Sequence, residues 1–230
     1  MDAKQLYMIS LGPGDEELVT FKAIDRLKKS DVICVPTKSS DGSFNKSLTH
    51  KIIQKLMKLH NFQKPLVALY SPMHYKQEDW QRQVDTILDA FQTYNSVSFV
   101  TLGDAGVYSS VYYLLDIIKY QEPEVYQKCE VVAGVTSFSQ ASSLVKKPLC
   151  VGDSRFEIVP LHKQEGIKTT TVYMRPKIGL DTKHIQSQGD IYTFENINYQ
   201  GESITKGKVS KVSKYMTLFI DFFTKDNNGI

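Results

Sequence analysis

Two glycine turns hold the residues of this chain best placed for chemistry. Leu11-Gly12-Pro13-Gly14-Asp15 follows the apolar run Leu6 to Ile9. Phe99-Val100-Thr101-Leu102-Gly103-Asp104-Ala105-Gly106-Val107-Tyr108-Ser109 is the second such segment. Each reads as a buried strand that ends in a glycine turn and an acidic residue, then enters a helix. A glycine there lets the backbone approach a ligand closely, and open α/β sheets bind ligands at such strand ends. The Asp104 carboxylate could accept hydrogen bonds from an amine or a ribose, or it could only cap the next helix. Gly134-Val135-Thr136-Ser137 is a third junction of this kind, where Thr136 and Ser137 could cap a helix or bond a ligand. The pattern implies a small ligand held between adjacent turns.

Other chemistries find less support. The third glycine of a Gly-x-Gly-x-x-Gly dinucleotide fingerprint is missing, and no Gly-Lys-Ser/Thr follows to make a P-loop. No His, Cys, Asp and Glu spacing fits a metal site, and no Ser-His-Asp or Cys-His set can be inferred. His74, in the loop Ser71 to Tyr75, reads as an exposed loop histidine rather than a catalytic one. Lys206, Lys208, Lys211 and Lys214 read as a solvated strand edge that discourages aggregation, not a binding stripe.

The elements that position the turns follow from periodicity. Leu6–Leu11, Asp31–Pro36, Pro65–Tyr70 and Val97–Leu102 read as strands. Between and after them, Glu16–Lys29, Phe44–Leu59, Glu78–Tyr94 and Gly106–Tyr120 carry apolar residues near helical spacing. Asp15 is a natural cap for the first helix. Such alternation implies a mostly parallel sheet covered on both faces. Gln121-Glu122-Pro123-Glu124 is polar and holds a helix breaker, so it is the expected boundary between residues 1–121 and 122–230. The second half opens with the strand Glu130–Ala133 and a helix to Val145. Strands at 156–160, 170–174, 191–195 and 215–222 then predict a mixed or antiparallel α/β domain.

Composition agrees with an ordinary globular chain of 230 residues, 41% apolar and 23% charged. The net charge of +3 does not point to nucleic acid but suits a polyanionic small molecule. Three scattered cysteines, with no Cys-x-x-Cys, argue against a disulfide framework and fit a reducing cytoplasm. No apolar run approaches the ~20 residues of a membrane span, and no signal peptide opens the chain.

Taken together, the motifs resemble the tetrapyrrole methylases, the class III S-adenosylmethionine-dependent enzymes of corrin and sirohaem biosynthesis. Leu11-Gly12-Pro13-Gly14-Asp15 with Leu18-Val19-Thr20 and Ala23 is similar to the first family signature. Thr101-Leu102-Gly103-Asp104 with Tyr108-Ser109 is similar to the second, and Gly134-Val135-Thr136-Ser137-Phe138 to the third. Val172-Tyr173-Met174 resembles a later segment whose methionine contacts the cofactor. The branch most resembled is that of the precorrin-2 or cobalt-factor II carbon-20 methyltransferases. Pro72-Met73 with Trp80, Pro148-Leu149 with Gly152-Asp153, and Ile158-Val159-Pro160 carry that likeness. Two departures stand out: Ala105 replaces the usual proline, which is expected to loosen the loop, and Arg175-Pro176 follows Met174 where lysine is common.

The resemblance implies two α/β domains, a cleft between them for S-adenosylmethionine, and a homodimer. Its cofactor residues are Pro13, Leu102, Gly103, Asp104, Val107, Thr136, Ser137 and Met174. Lys38, Lys46, Arg155 and Arg175 are the candidates for binding the carboxylates of a tetrapyrrole. The expected reaction is methyl transfer to an electron-rich meso carbon, after which that carbon loses a proton to substrate, water or a residue such as Tyr108. Other tetrapyrrole C-methylases, acting on uroporphyrinogen III or at a later corrin step, are the alternatives. So is a non-catalytic protein that binds S-adenosylmethionine or a tetrapyrrole.

Overall fold

The sheet that carries all three turns is wholly parallel. The computed structural model describes residues 4–45, 47–72, 76–152, 155–158, 169–174, 176–187, 190–196 and 200–222. The elements begin β1 (Gln5–Ser10), α1 (Phe21–Lys29), β2 (Val32–Thr37), α2 (Leu48–Leu59), β3 (Leu66–Tyr70) and α3 (Gln77–Ala90). They continue with β4 (Ser96–Thr101), α4 (Val111–Gln121), α5 (Pro123–Gln127), β5 (Glu130–Val132) and α6 (Ser137–Val145). Four further strands follow: β6 (Thr171–Tyr173), β7 (Asp190–Glu195), β8 (Ser203–Lys206) and β9 (Thr217–Phe222).

The first five strands form one sheet in the order β3-β2-β4-β1-β5, every pair parallel. Side chains alternate across it. Leu6, Met8, Cys34 and Phe99 pack with Trp80, Val84 and Ile87 of α3 and with Val111, Leu114 and Ile118 of α4. On the other face Ile9, Ile33, Val35 and Val100 pack with Ala23, Ile24 and Leu27 of α1 and with Ile52, Ile53 and Leu56 of α2. The neighbouring strands β1 and β4 therefore send their following helices to opposite faces. That is a topological switch point, and the crevice it opens lies at the strands' C-terminal ends.

Local capping corrects several expected boundaries. Asp15 accepts the Glu17 N–H at 2.9 Å and caps only a 3-10 turn, Glu16–Leu18. Thr20 starts α1 by accepting the Ala23 N–H at 3.2 Å. Ser47 does the same for α2 through the His50 N–H at 3.0 Å, so that helix begins at Leu48 rather than Phe44. The helix expected from Gly106 begins at Val111, because residues 104–107 form a turn instead.

The domain boundary also moves. The compact units are Met1–Phe156 and Glu157–Ile230, not 1–121 and 122–230. The reason is β5, which pairs with β1 from Tyr7↔Glu130 to Ile9↔Val132 and so completes the first sheet. Two ion pairs anchor it: Glu130 lies 2.5 Å from Arg26 and 2.7 Å from Lys22, both on α1.

The second unit holds a four-stranded sheet in the order β6-β9-β7-β8. Its described pairs are all antiparallel, rather than mixed. Among the described residues its core is small: Ile185, Ile191, Val212 and Phe219 are buried, with Tyr173, Leu180 and Val209 against them. Three lysines of this unit make polar contacts rather than only facing solvent. Lys206 pairs with Asp190 at 3.0 Å, Lys214 with Glu195 at 3.2 Å, and Lys208 donates to the Ile185 carbonyl at 2.6 Å. The described residues 155–158 form no strand, and 159–160 lie outside the described residues.

Among the described residues no group of His, Cys, Asp and Glu could hold a metal ion, and no helix is long and apolar enough to cross a membrane. Burial pushes the Cys34 and Cys129 thiols up to about 12. Cys150 is exposed.

Candidate active site at the C-terminal ends of the parallel strands

The turns after β1 and β4 are joined main chain to main chain. The Gly12 N–H donates to the Gly103 carbonyl at 3.1 Å, and the Gly103 N–H returns to the Gly12 carbonyl at 2.7 Å. Both glycines have left-handed φ, +70° and +76°, where a side chain is disfavoured. At Gly12 a Cβ would also stand 2.9 Å from the Leu18 carbonyl oxygen. Above Gly103 there is open space, with nothing within 4 Å of a Cβ.

The third turn is pressed against the first two. A Cβ on Gly134 would meet Ser10 Cβ at 2.5 Å, the Gly103 oxygen at 2.9 Å and the Gly12 nitrogen at 3.5 Å. Only glycine fits there. Asp104 closes the arrangement. Its Oδ1 accepts the Gly106 N–H at 2.7 Å, and its Oδ2 accepts the Gly134 N–H at 2.6 Å. The carboxylate thus caps no helix; it ties the turn after β4 to the turn after β5. Charge-assisted bonds of this kind are about twice as strong as neutral ones.

Ala105 does not loosen the loop, contrary to expectation. It is buried, and its N–H donates to the Ser10 hydroxyl at 2.9 Å. Sequence reasoning missed Ser10. The available signal was a hydroxyl at the end of an otherwise apolar strand.

The remaining candidates sort by place. Pro13 is half-buried between Gly12 and Gly14, and Leu102 is exposed beside Gly103. The Val107 N–H donates to the Asp104 carbonyl at 3.2 Å. Thr136 caps α6, accepting the Ser139 N–H at 3.4 Å, and Ser137 is the exposed first residue of that helix. These seven positions lie on the three turns at one end of the sheet. Tyr108 is 66% exposed with φ +48°, an unusual backbone for a bulky residue. At the second residue of α4, partial burial and then the Asp104 carboxylate raise the Tyr112 hydroxyl above its ordinary value, so Tyr112 stays a neutral donor.

Met174 belongs to the second unit, where it follows β6 and is 69% exposed. It lines a cavity of about 630 Å³ with Tyr173, Lys177, His184, Ile185 and Phe219. Lys38 is exposed just past β2, and Arg155 is exposed near the end of the first unit. Lys46, His74 and Arg175 lie outside the described residues.

Three turns built of main chain, glycines and small residues, with the exposed Leu102 beside them, suit a compact ligand recognised through backbone groups. The model of the tetrapyrrole (corrin/porphyrin) methylases matches residues 5–212. The chain belongs to the tetrapyrrole methylases. The probable cobalt-precorrin-2 C(20)-methyltransferase of Methanocaldococcus jannaschii is 26% identical over 217 residues, covering 91% of this chain and 90% of that one. The cobalt-precorrin-2 C(20)-methyltransferase of Salmonella typhimurium is 28% identical over 151 residues, 64% of this chain and 59% of its own length. The solved structure of a cobalamin synthesis related protein (CobF) from Corynebacterium diphtheriae superposes with a TM-score of 0.54 at 14% identity, covering 95% of this chain and 98% of that one. That likeness is one of fold. It places this methylase's parallel and antiparallel sheets within the architecture of its family.

Proposed function

We propose that the protein is an S-adenosylmethionine-dependent C-methyltransferase acting on carbon-20, a meso carbon, of precorrin-2 or cobalt-factor II in corrin biosynthesis. The observation that carries the reading is the junction of three strand-end turns, locked to one another by Gly12, Gly103, Asp104 and Gly134. The near-full-length likeness to the Methanocaldococcus relative supports the choice of carbon.

The donor brings an electrophilic sulfonium methyl. The protein's part is to hold donor and acceptor in line and keep them there. Main-chain groups around Pro13, Leu102, Gly103 and Val107 offer a polar but uncharged wall, and Thr136, Ser137 and Met174 complete the proposed donor set. A wall already bonded to itself needs no reorganisation when ligand arrives. Lys38, Lys46, Arg155 and Arg175 are proposed to bind substrate carboxylates. Tyr108 is the protein group proposed to relay the meso proton, passing its own hydroxyl proton to water as it takes the new one; water and the substrate itself are the other acceptors. The protein is proposed to act as a homodimer, and the exposed apolar residues Leu144, Val145 and Val151 supply surface for a second copy.

The test is incubation with methyl-labelled S-adenosylmethionine and either metal-free precorrin-2 or cobalt-factor II, followed by locating the label on the macrocycle. Label at carbon-20 is expected. Label at another carbon would assign the protein to a different step, and no transfer with bound donor would make it a binding protein. Tyr108→Phe should reduce turnover by roughly tenfold or more if its hydroxyl takes the proton. Light scattering on the native chain should give twice the monomer mass.

A further inference from the structure

Asp104-Ala105-Gly106-Val107 is a tight turn closed by the Val107 N–H on the Asp104 carbonyl at 3.2 Å. Gly106 has no positive φ, so the turn is type I rather than type II. Asp104 stands at the first position and bonds the Gly106 N–H, as aspartate does in such turns. Ala105 stands at the second position, where proline is favoured because its φ is already set. Proline has no N–H. Here the N–H is present, and it has been given a buried partner, the Ser10 hydroxyl at 2.9 Å. Ser10 itself is fully buried, and its Cβ abuts the main chain of Gly134.

We propose that Ser10 is a positioning residue for methyl-donor binding. It acts through Ala105, substituting a hydrogen bond for the stiffness of a proline and so holding Asp104 where its carboxylate reaches Gly134. The proposal rests on the donor site assigned above. Ser10 touches neither donor nor substrate. Its hydroxyl fixes the turn from beneath, while the Asp104 carboxylate fixes it from the side. The two bonds restrain consecutive residues, so losing one leaves the turn free to rotate about the other. A donor that binds the turn must then order it first, which weakens binding. Deleting the hydroxyl also leaves the buried Ala105 N–H without its acceptor.

The experiment is titration calorimetry with S-adenosylhomocysteine, joined to steady-state kinetics. The variants are Ser10→Ala, Ala105→Pro and the pair Ser10→Gly/Ala105→Pro. Ser10→Ala should weaken S-adenosylhomocysteine by roughly tenfold, the equivalent of one lost buried bond. It should raise KM for S-adenosylmethionine by a similar factor and leave kcat at saturating donor within about twofold. Ala105→Pro alone should be at least as damaging, since the ring carbon would occupy the place of the N–H hydrogen, against the Ser10 oxygen. In the pair, the missing side chain makes room for the ring and the ring restores the stiffness. Affinity should return to within roughly threefold of native. Unchanged affinity in Ser10→Ala, or a pair no tighter than Ala105→Pro alone, would overturn the proposal. So would a fall in kcat with KM unchanged, which marks loss of folded enzyme rather than of positioning. If the native protein itself fails to bind S-adenosylhomocysteine, the donor site is wrong and the role of Ser10 falls with it.

Discussion

The two units hold themselves together in different ways. In the first, two large apolar clusters sandwich a parallel sheet, and the turns at its C-terminal edge are bonded to each other through main chain and one carboxylate. In the second, four buried apolar residues among those described support an antiparallel sheet, with side chains such as Ser187, Asp221 and Lys208 bonding around them. A large core permits a strained, precise edge, including the left-handed Tyr108, because its stability is supplied elsewhere. A small core depends on each residue that fills it.

The contrast is broken most directly at Phe219. Fully buried in the small core, it should cost about 3–5 kcal/mol when replaced by Ala. Hydrogen exchange should then show the second unit opening while the strands of the first stay protected. A uniform loss across both units would mean that they fold as one. Gly134→Ala comes next. The added methyl would drive into Ser10 and Gly103, costing about 1–3 kcal/mol by overpacking, and S-adenosylhomocysteine binding should disappear in calorimetry. Asp104→Ala should cost a similar ~1–3 kcal/mol, because the Gly134 N–H loses its acceptor. It should also weaken the same ligand, and unchanged affinity would remove Asp104 from the site.

The smallest effect is expected at Glu130. Its hydrogen bond to Arg26, followed by that to Lys22, holds the Glu130 carboxyl below its ordinary value of 4.5. A depressed carboxyl stabilises the fold above that ordinary value and loses its contribution as pH falls through the lower, folded-state value. The melting temperature should therefore drop on acidification below about pH 4.5, and Glu130→Gln should flatten that part of the profile. Being partly exposed, the pair is worth roughly 1 kcal/mol at most.

Legibility followed the same division. In the first unit, apolar runs such as Leu6–Ile9 and Val97–Val100 are buried on both faces, and glycine turns punctuate them, so strands and turns could be read directly. The helix starts could not. Thr20 and Ser47 compete with nearby residues as caps, and only the folded backbone shows which N–H each one reaches. Asp104 was legible as part of a strand-end turn but not for what it bonds, since its partner Gly134 lies thirty residues away. The boundary was misplaced because β5 has only three residues, Glu130–Val132. Its allegiance is decided by β1 across the sheet, not by the local break at Pro123. In the second unit β8 was visible only as a lysine-rich edge. Its pairing with β7, from Tyr192↔Lys206 to Glu195↔Ser203, has no local signature.

The cysteines carry a practical consequence. Cys34 is buried and Cys129 half-buried, and burial makes both thiols resist ionisation, whereas Cys150 faces water a few residues beyond α6. A maleimide dye should therefore attach to the unmodified chain preferentially at Cys150, giving a fluorescent reporter five residues past the end of the helix that Thr136 begins.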